Sequence, residues 1–200
     1  MSTGSTSKQA PTTLPSKVRI ERAAISLFSK HGIDGVSTKE IAKIADLSEG
    51  SIYRHFKSKD ALAKALMQSI HMELTQMIRE AAELPLLQDQ IAYIVKRYCE
   101  IADTDWDLFR YHILHLYHFP NLSDTQGDNP QTAASDLLRA AMARGDIPKR
   151  DASILASMAL GVVLQTAHSK VLGFIETPLS IHAPLFTRTV MTIIQQNSEG

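Results

Sequence analysis

Apolar residues recur at helical spacing over most of the chain. Ile20, Ala23, Ala24, Leu27 and Phe28 follow the i, i+3, i+4, i+7 rule and predict a helix over about Lys17–His31, stopped by Gly32. Ser37 followed by Glu40 forms a capping-box pattern, so a short helix runs from about Thr38 to Ala45, with Ile41, Ile44 and Ala45 facing inward. After the turn at Asp46-Leu47, Ser48 caps a third helix, about Glu49 to Phe56, with Ile52 and Phe56 turned to the core. A long stripe of Leu62, Ala65, Leu66, Ser69, Ile70, Leu74 and Met77 marks a fourth helix from about Ser58 to Glu83, which Pro85 closes. Five more follow at about Leu87–Ala102, Asp105–Phe119, Pro130–Arg144, Asp151–Leu172 and Ile181–Gln196. Strand-like alternation is scarce. About nine helices with short links predict an all-α protein.

Composition narrows this reading. The chain has 200 residues, enough for one domain or two small ones, and 44% are apolar, which can build a core. A single cysteine, Cys99, excludes an internal disulfide and any Cys-rich zinc module. Residues 1–16, rich in Ser, Thr and Pro, read as a disordered tail with no signal-peptide pattern, and the loop Asn121–Asn129 is rich in polar turn residues. The longest uncharged run, Ala152–Ser169, holds Ser153, Ser157, Gln165, Thr166 and His168 and falls short of the roughly 20 apolar residues of a membrane span. A cytoplasmic protein with no membrane partner is expected.

The formal net charge is zero, but it is segregated. Residues 1–60 hold ten Lys and Arg against six Asp and Glu, leaving the remainder with eleven against fifteen. A basic quarter on a mildly acidic body suits a polyanionic partner. Two short helices joined by a tight turn and preceded by a third form a helix-turn-helix bundle, whose second member can enter a DNA major groove. Its outer face would carry Glu49, Gly50, Ser51, Tyr53, Arg54 and His55. Small residues at 50 and 51 permit close backbone approach. The Tyr53 hydroxyl suits a phosphate oxygen, as do Lys57 and Lys59 and the helix start at Thr38 and Lys39. A charged outer face on a short helix is also what plain solvation produces, and spacing alone leaves both readings open.

The run GVSTKEIAKIADLSEGSIYRHFKSKDAL (35–62) strongly resembles the DNA-binding domain of the tetracycline-repressor (TetR) family, and the preceding Ala23-Ala24, Leu27-Phe28 and His31-Gly32 resemble that family's first helix. The match covers about Val18–Leu66, and its most specific stretch is Tyr53–Lys59. The resemblance implies a homodimeric transcription factor on a palindromic operator, most often a repressor released by a small molecule. It implies phosphate contacts at Thr38, Lys39, Tyr53 and Lys59, groove contacts at Glu49, Gly50, Ser51, Arg54 and His55, and flanking contacts at Ser48 and Lys57. Two departures matter. Asp46 stands where the family has Gly, adding a negative charge and a left-handed backbone at a cost of about 1 kcal/mol. Glu49 stands where a neutral or basic residue is usual; a carboxylate there can accept from cytosine N4.

This division gives a tail at 1–16, a helix-turn-helix domain at 17–63 and a regulatory and dimerisation domain at 64–200. The eighth helix is apolar on nearly every side and needs covering on nearly every side. Ala152, Ala156, Ala159 and Val163, with Phe186 and Val190 of the ninth helix, are the expected dimer contacts. In the family the fourth to seventh helices usually enclose an inducer. Candidate wall residues are Met72, Tyr93, Trp106, Phe109, His112, Leu116 and Met142. His112, His115 and His118 fan over about 120° of the sixth helix. Two of them with His71, His168 or a carboxylate could hold a metal; otherwise they are cavity-wall or surface residues, and neither metal nor cofactor is assigned. No Gly-rich phosphate loop, H-E-x-x-H or G-x-S-x-G pattern points to catalysis. The expected function is ligand-controlled repression. The alternative is an architectural or partner-recruiting DNA-bound factor with no small ligand, whose core should be filled.

Overall fold

The computed structural model describes residues 14–119, 122 and 128–196. Most of the expected tail, most of the loop at 121–129, and Pro120 lie outside the described residues. Among those described, every regular element is helical. Three helices form the N-terminal head: α1 (Ser16–His31), α2 (Thr38–Ile44) and α3 (Glu49–His55). Six form the body: α4 (Lys59–Ala82), α5 (Leu87–Thr104), α6 (Trp106–His115), α7 (Pro130–Arg144), α8 (Ala152–Val171) and α9 (Ala183–Gln195), the last preceded by a 3-10 turn, Leu179–His182.

Local chemistry explains most boundaries. Ser37 and Glu40 form the predicted capping box, with the Ser37 N–H donating to Glu40 Oε2 at 2.8 Å and the Glu40 N–H to Ser37 Oγ at 3.2 Å. Ser58, Asp105, Asn129 and Asp151 accept backbone N–H groups at the starts of α4, α6, α7 and α8. Gly145 ends α7 at φ 84°, which costs a glycine little. The predicted sixth helix continues to Phe119, whereas α6 stops at His115 and a turn covers residues 116–118. No proline or glycine within 116–118 signals that stop. The ninth begins later than predicted, because Pro184 fits the first turn of a helix.

The head and body share one apolar core. Ile20, Phe28, Ile41, Ile52 and Leu62 are fully enclosed in it. Ile44 is exposed, contrary to the inward position expected of it; Ala42 takes the buried place, one residue off the face of Ile41 and Ala45. The proposed boundary at 63/64 falls inside α4, which leaves the head and runs on as a wall of the body. Around it α7 packs on α4 and α8, while α5 packs on α4 and α9. α8 is long and apolar enough, with a mean hydropathy of 1.3, to cross a membrane by length and composition, although its polar residues had suggested it fell short. It packs on α6, α7 and α9.

Candidate nucleic-acid interface and internal cavity

The turn between α2 and α3 depends on one strained residue. Asp46 has φ 52°, the left-handed conformation expected of it, and is the one non-glycine residue with positive φ among those described. Arg19 of α1 holds it from behind. One guanidinium nitrogen donates to the Asp46 carbonyl at 2.8 Å and to its carboxylate at 3.0 Å. The negative charge that the sequence placed near DNA is thus paired. Only the fold brings Arg19 to Asp46.

Most of the candidate contact residues are exposed, and Thr38, Glu49 and Tyr53 are linked to one another. Lys39, Ser48, Glu49, Gly50, Tyr53, Arg54, His55 and Lys57 are exposed and Thr38 half-buried. Thr38 Oγ1 donates to Glu49 and lies 3.4 Å from the Tyr53 hydroxyl, tying the start of α2 to α3. The Glu49 carboxylate therefore has a partner in the free protein. A Cβ built at Gly50 would meet nothing closer than Ser48 Oγ at 3.9 Å, so packing alone does not demand glycine there.

Two candidates sit differently from expectation. Ser51 is buried, not on the outer face; it lies one helical step from Ile52, and its hydroxyl is 3.0 Å from Ser48 Oγ and accepts from Arg54 at 3.3 Å. Lys59 is only half-exposed and donates to the Val36 carbonyl at 2.8 Å and the Asp34 carbonyl at 3.4 Å. It clamps the loop before α2. Gly35 lies in that loop, where a side chain would approach the His31 carbonyl oxygen to 2.4 Å. This steric requirement is invisible to helical periodicity.

The body contains a cavity of about 400 Å³, bounded by α4, α5, α6, α7 and α8, with Val190 of α9 reaching it. Its wall is mainly aliphatic, including Leu74, Ile78, Ile91, Val95, Leu137 and Val163. Of the seven candidate wall residues, His112 and Leu116 line it. Met72 is exposed on the far side of α4, one residue from His71, which does line the cavity. Tyr93 faces α4, its hydroxyl 3.3 Å from Glu80, while the adjacent Ile94 reaches the wall. Trp106 stacks on Phe109 at 6.0 Å near the start of α6, under the Lys170 ammonium. Phe109 packs edge-on to Tyr98, and Met142 is buried beyond the lining part of α7. The missed wall residues Tyr98 and His71 sit on helices whose cavity-facing side periodicity alone does not select.

Two polar side chains in that wall are buried without partners. The Tyr98 hydroxyl and both ring nitrogens of His112 make no hydrogen bond. Burial, and secondarily His71, pushes His112 down to about 3, so its imidazole is neutral near pH 7. Burial raises Tyr98 as well, so its hydroxyl keeps its proton. Burial also lowers His71. Cys99 is buried, and burial, then Asp103 and Glu100, push its thiol up to about 12.

The three histidines of the sixth helix do not converge on one point, although the His115 and His118 rings pack edge-on at 5.9 Å. His112 faces the cavity, His115 approaches the Phe28 carbonyl at 3.4 Å, and His118 is exposed beyond the helix end. Among the described residues no three His, Cys, Asp or Glu side chains gather as a metal site. α6 thus has two working faces. Opposite the cavity, the Tyr111 hydroxyl donates to the Ala63 carbonyl of α4 at 2.8 Å, Asp105 pairs with Arg22, and Asp107 with Lys30 at 3.6 Å.

The expected dimer contacts point inward. Ala152, Ala156, Val163, Phe186 and Val190 are buried within the protomer, and Ala159 is half-buried at the cavity. A helix apolar all round offers periodicity no face to choose. The exposed face of α8 runs instead through Ile154, Ser157, Met158 and Gln165, and beyond it Leu172, Phe174, Ile181 and Leu185 are exposed.

Comparison with known proteins agrees with the head geometry. Residues 20–66 match the family model for bacterial regulatory proteins of the tetR family. Over 75 residues the chain is 41% identical to the uncharacterized HTH-type transcriptional regulator YvkB of Bacillus subtilis, covering 38% of this chain and 39% of YvkB. Over 69 residues it is 36% identical to the HTH-type transcriptional regulator UidR of Escherichia coli, covering 34% and 35%. The matched segments thus span under two fifths of these relatives. The whole fold is similar to that of the fatty acid degradation regulator FadR from Bacillus halodurans, with a TM-score of 0.79 at 18% identity over 87% of this chain and 97% of that one. It is also similar to FadR from Bacillus subtilis in complex with stearoyl-CoA, with a TM-score of 0.78 at 17% identity over 88% and 97%.

Proposed function

We propose, from the match of residues 20–66 to the family model for bacterial regulatory proteins of the tetR family, that the whole chain is a dimeric DNA-binding repressor released from a palindromic operator by a small apolar molecule. The observation that carries this reading is the course of α4. Its first turn belongs to the head, and further along His71, Leu74, Met77 and Ile78 form part of the cavity wall. A ligand that alters the wall can therefore move the head through one continuous helix. An architectural factor with no ligand would have a filled core, so the cavity favours an effector. The FadR protein that resembles this fold is in complex with stearoyl-CoA, which supports an apolar chain as the kind of molecule admitted.

On DNA, Thr38, Lys39, Tyr53 and Lys57 contact phosphates, while Glu49, Gly50, Arg54 and His55 face the bases. Lys59 acts mainly by holding the loop from which α2 starts. A second copy covers the outward face of α8 with its own, an isologous contact that sets the spacing of the two heads. The effector binds the spacing that misfits DNA more tightly than the spacing that fits, by about 1–3 kcal/mol.

Selection of bound duplexes from a random pool tests this. The expected product is a two-fold symmetric site. Arg54→Ala changes the selected bases, whereas Tyr53→Phe weakens binding to all duplexes alike. Enrichment of no symmetric sequence contradicts the reading.

A further inference from the structure

The cavity wall has a chemical asymmetry that narrows its occupant. Among the described residues, no lining side chain carries a full charge. Buried polar atoms nearly always have partners, so unpaired ones inside a cavity mark a missing partner. Here three such atoms lie just beneath the cavity surface: the Tyr98 hydroxyl and the two His112 nitrogens, on rings whose centroids are 6.3 Å apart, so a small turn of either ring is needed to present them to an occupant. Both residues line the cavity and both are buried, at 8% and 3% exposure.

We propose that the effector is an uncharged molecule with an apolar body and an oxygen that reaches Tyr98 and His112. This rests on the ligand-responsive reading above and adds the class of ligand. A ketone, ester or lactone oxygen can accept from the Tyr98 hydroxyl and from the single N–H of a neutral imidazole. A hydroxyl can also donate to the other ring nitrogen. A carboxylate fits poorly, because it brings a full charge into a wall with no cation to receive it. Two groups there could become cationic, His71 and His112, and burial lowers both imidazoles, His112 to about 3, so neither offers a charge to a carboxylate at pH 8. A plain saturated chain fills the apolar wall but leaves all three polar atoms unpaired, and a phosphate-bearing head is excluded from this end for the same reason as the carboxylate.

The test compares four ten-carbon probes, decane, 2-decanone, 1-decanol and decanoate, for binding to the full chain at pH 8. Volatile probes are followed by headspace partition and decanoate by calorimetry. Tyr98→Phe removes only an unpaired hydroxyl and should leave the fold intact. The expected result is that it weakens 2-decanone about three- to tenfold, the worth of one hydrogen bond, and leaves decane unchanged. His112→Leu should act in the same direction on 1-decanol, giving a second reading if either variant folds poorly. Decanoate should bind at least tenfold more weakly than the ketone. The inference is overturned if Tyr98→Phe affects ketone and decane equally, or if decanoate binds as tightly as the ketone. In both cases ligand binding itself stands. Uptake of none of the four probes overturns the ligand-responsive reading as well.

Discussion

At the scale of single residues, three positions set the account apart from a generic helical bundle. Asp46 takes a backbone conformation that glycine adopts freely, and Arg19 satisfies both its carbonyl and its carboxylate. Asp46→Gly should relieve roughly 1 kcal/mol of backbone strain and lose an exposed ion pair worth about 0–1 kcal/mol, leaving stability nearly unchanged. The same substitution removes a negative charge and frees Arg19, so affinity for every duplex should rise in a fluorescence anisotropy titration. Gly50 has open space around its missing side chain. Gly50→Ala should hold or raise the melting temperature, since alanine favours helix by up to about 1 kcal/mol, yet weaken DNA binding severalfold because the backbone is kept off the duplex. His112 ties stability to pH. Its folded form stays neutral to about pH 3, whereas the unfolded chain takes up a proton below about 6.5. Stability present at pH 7 is therefore lost as the pH falls through that window, by about 1.4 kcal/mol per unit from this group alone. His71 and His115, also lowered chiefly by burial, add to the trend. Urea unfolding at pH 7 and pH 5 should show the loss, and His112→Leu should reduce it; an unchanged slope would assign the loss to other groups.

At the scale of elements, legibility followed amphipathicity and capping chemistry. α2 was readable because Ser37 and Glu40 announce its start, and α7 because Asn129, Pro130 and Gly145 bracket it. The head was readable down to which of its candidate contact residues are exposed, since α3 is short and has one apolar edge, with Ser51, which is buried, and Lys59, which clamps a loop, as the exceptions. The cavity was less so: its wall depends on which side of α4, α5 and α6 faces the middle, and a one-residue rotation separates Met72 from His71 and Tyr93 from Ile94. α8 was the hardest case. Its apolar residues surround the helix, so the inward row, Ala152, Ala156 and Val163, could not be told from the outward one, Ile154 and Met158. The outward row now carries the dimer proposal. Ile154→Glu with Met158→Glu places charges on exposed positions, which the isolated protomer tolerates, and should convert dimers to folded monomers in sedimentation velocity. Dimers that persist would move the contact elsewhere.

At the scale of the whole molecule, the arrangement is a helix-turn-helix head, proposed to read DNA, continued by α4 into a body that holds a cavity with no charged residue in its described wall. α6 reinforces that continuity, touching the cavity through His112 and Leu116 and the head through Asp105, Asp107 and His115. Neither relation is visible in the sequence, because Tyr111 and Ala63, or Arg22 and Asp105, meet only after folding. Basic residues concentrated in the head should make DNA affinity fall steeply with salt, with a slope of about 0.9 for each phosphate neutralised. The central claim is that two such heads, held at a fixed distance by one dimer, grip a single duplex. Analytical ultracentrifugation of the chain with its selected duplex, at low and at physiological ionic strength, measures that claim directly. Two protomers per symmetric duplex, with affinity lost when one half-site is shifted by half a helical turn, is the predicted result. A single protomer on the duplex, or no complex at low ionic strength, would contradict it.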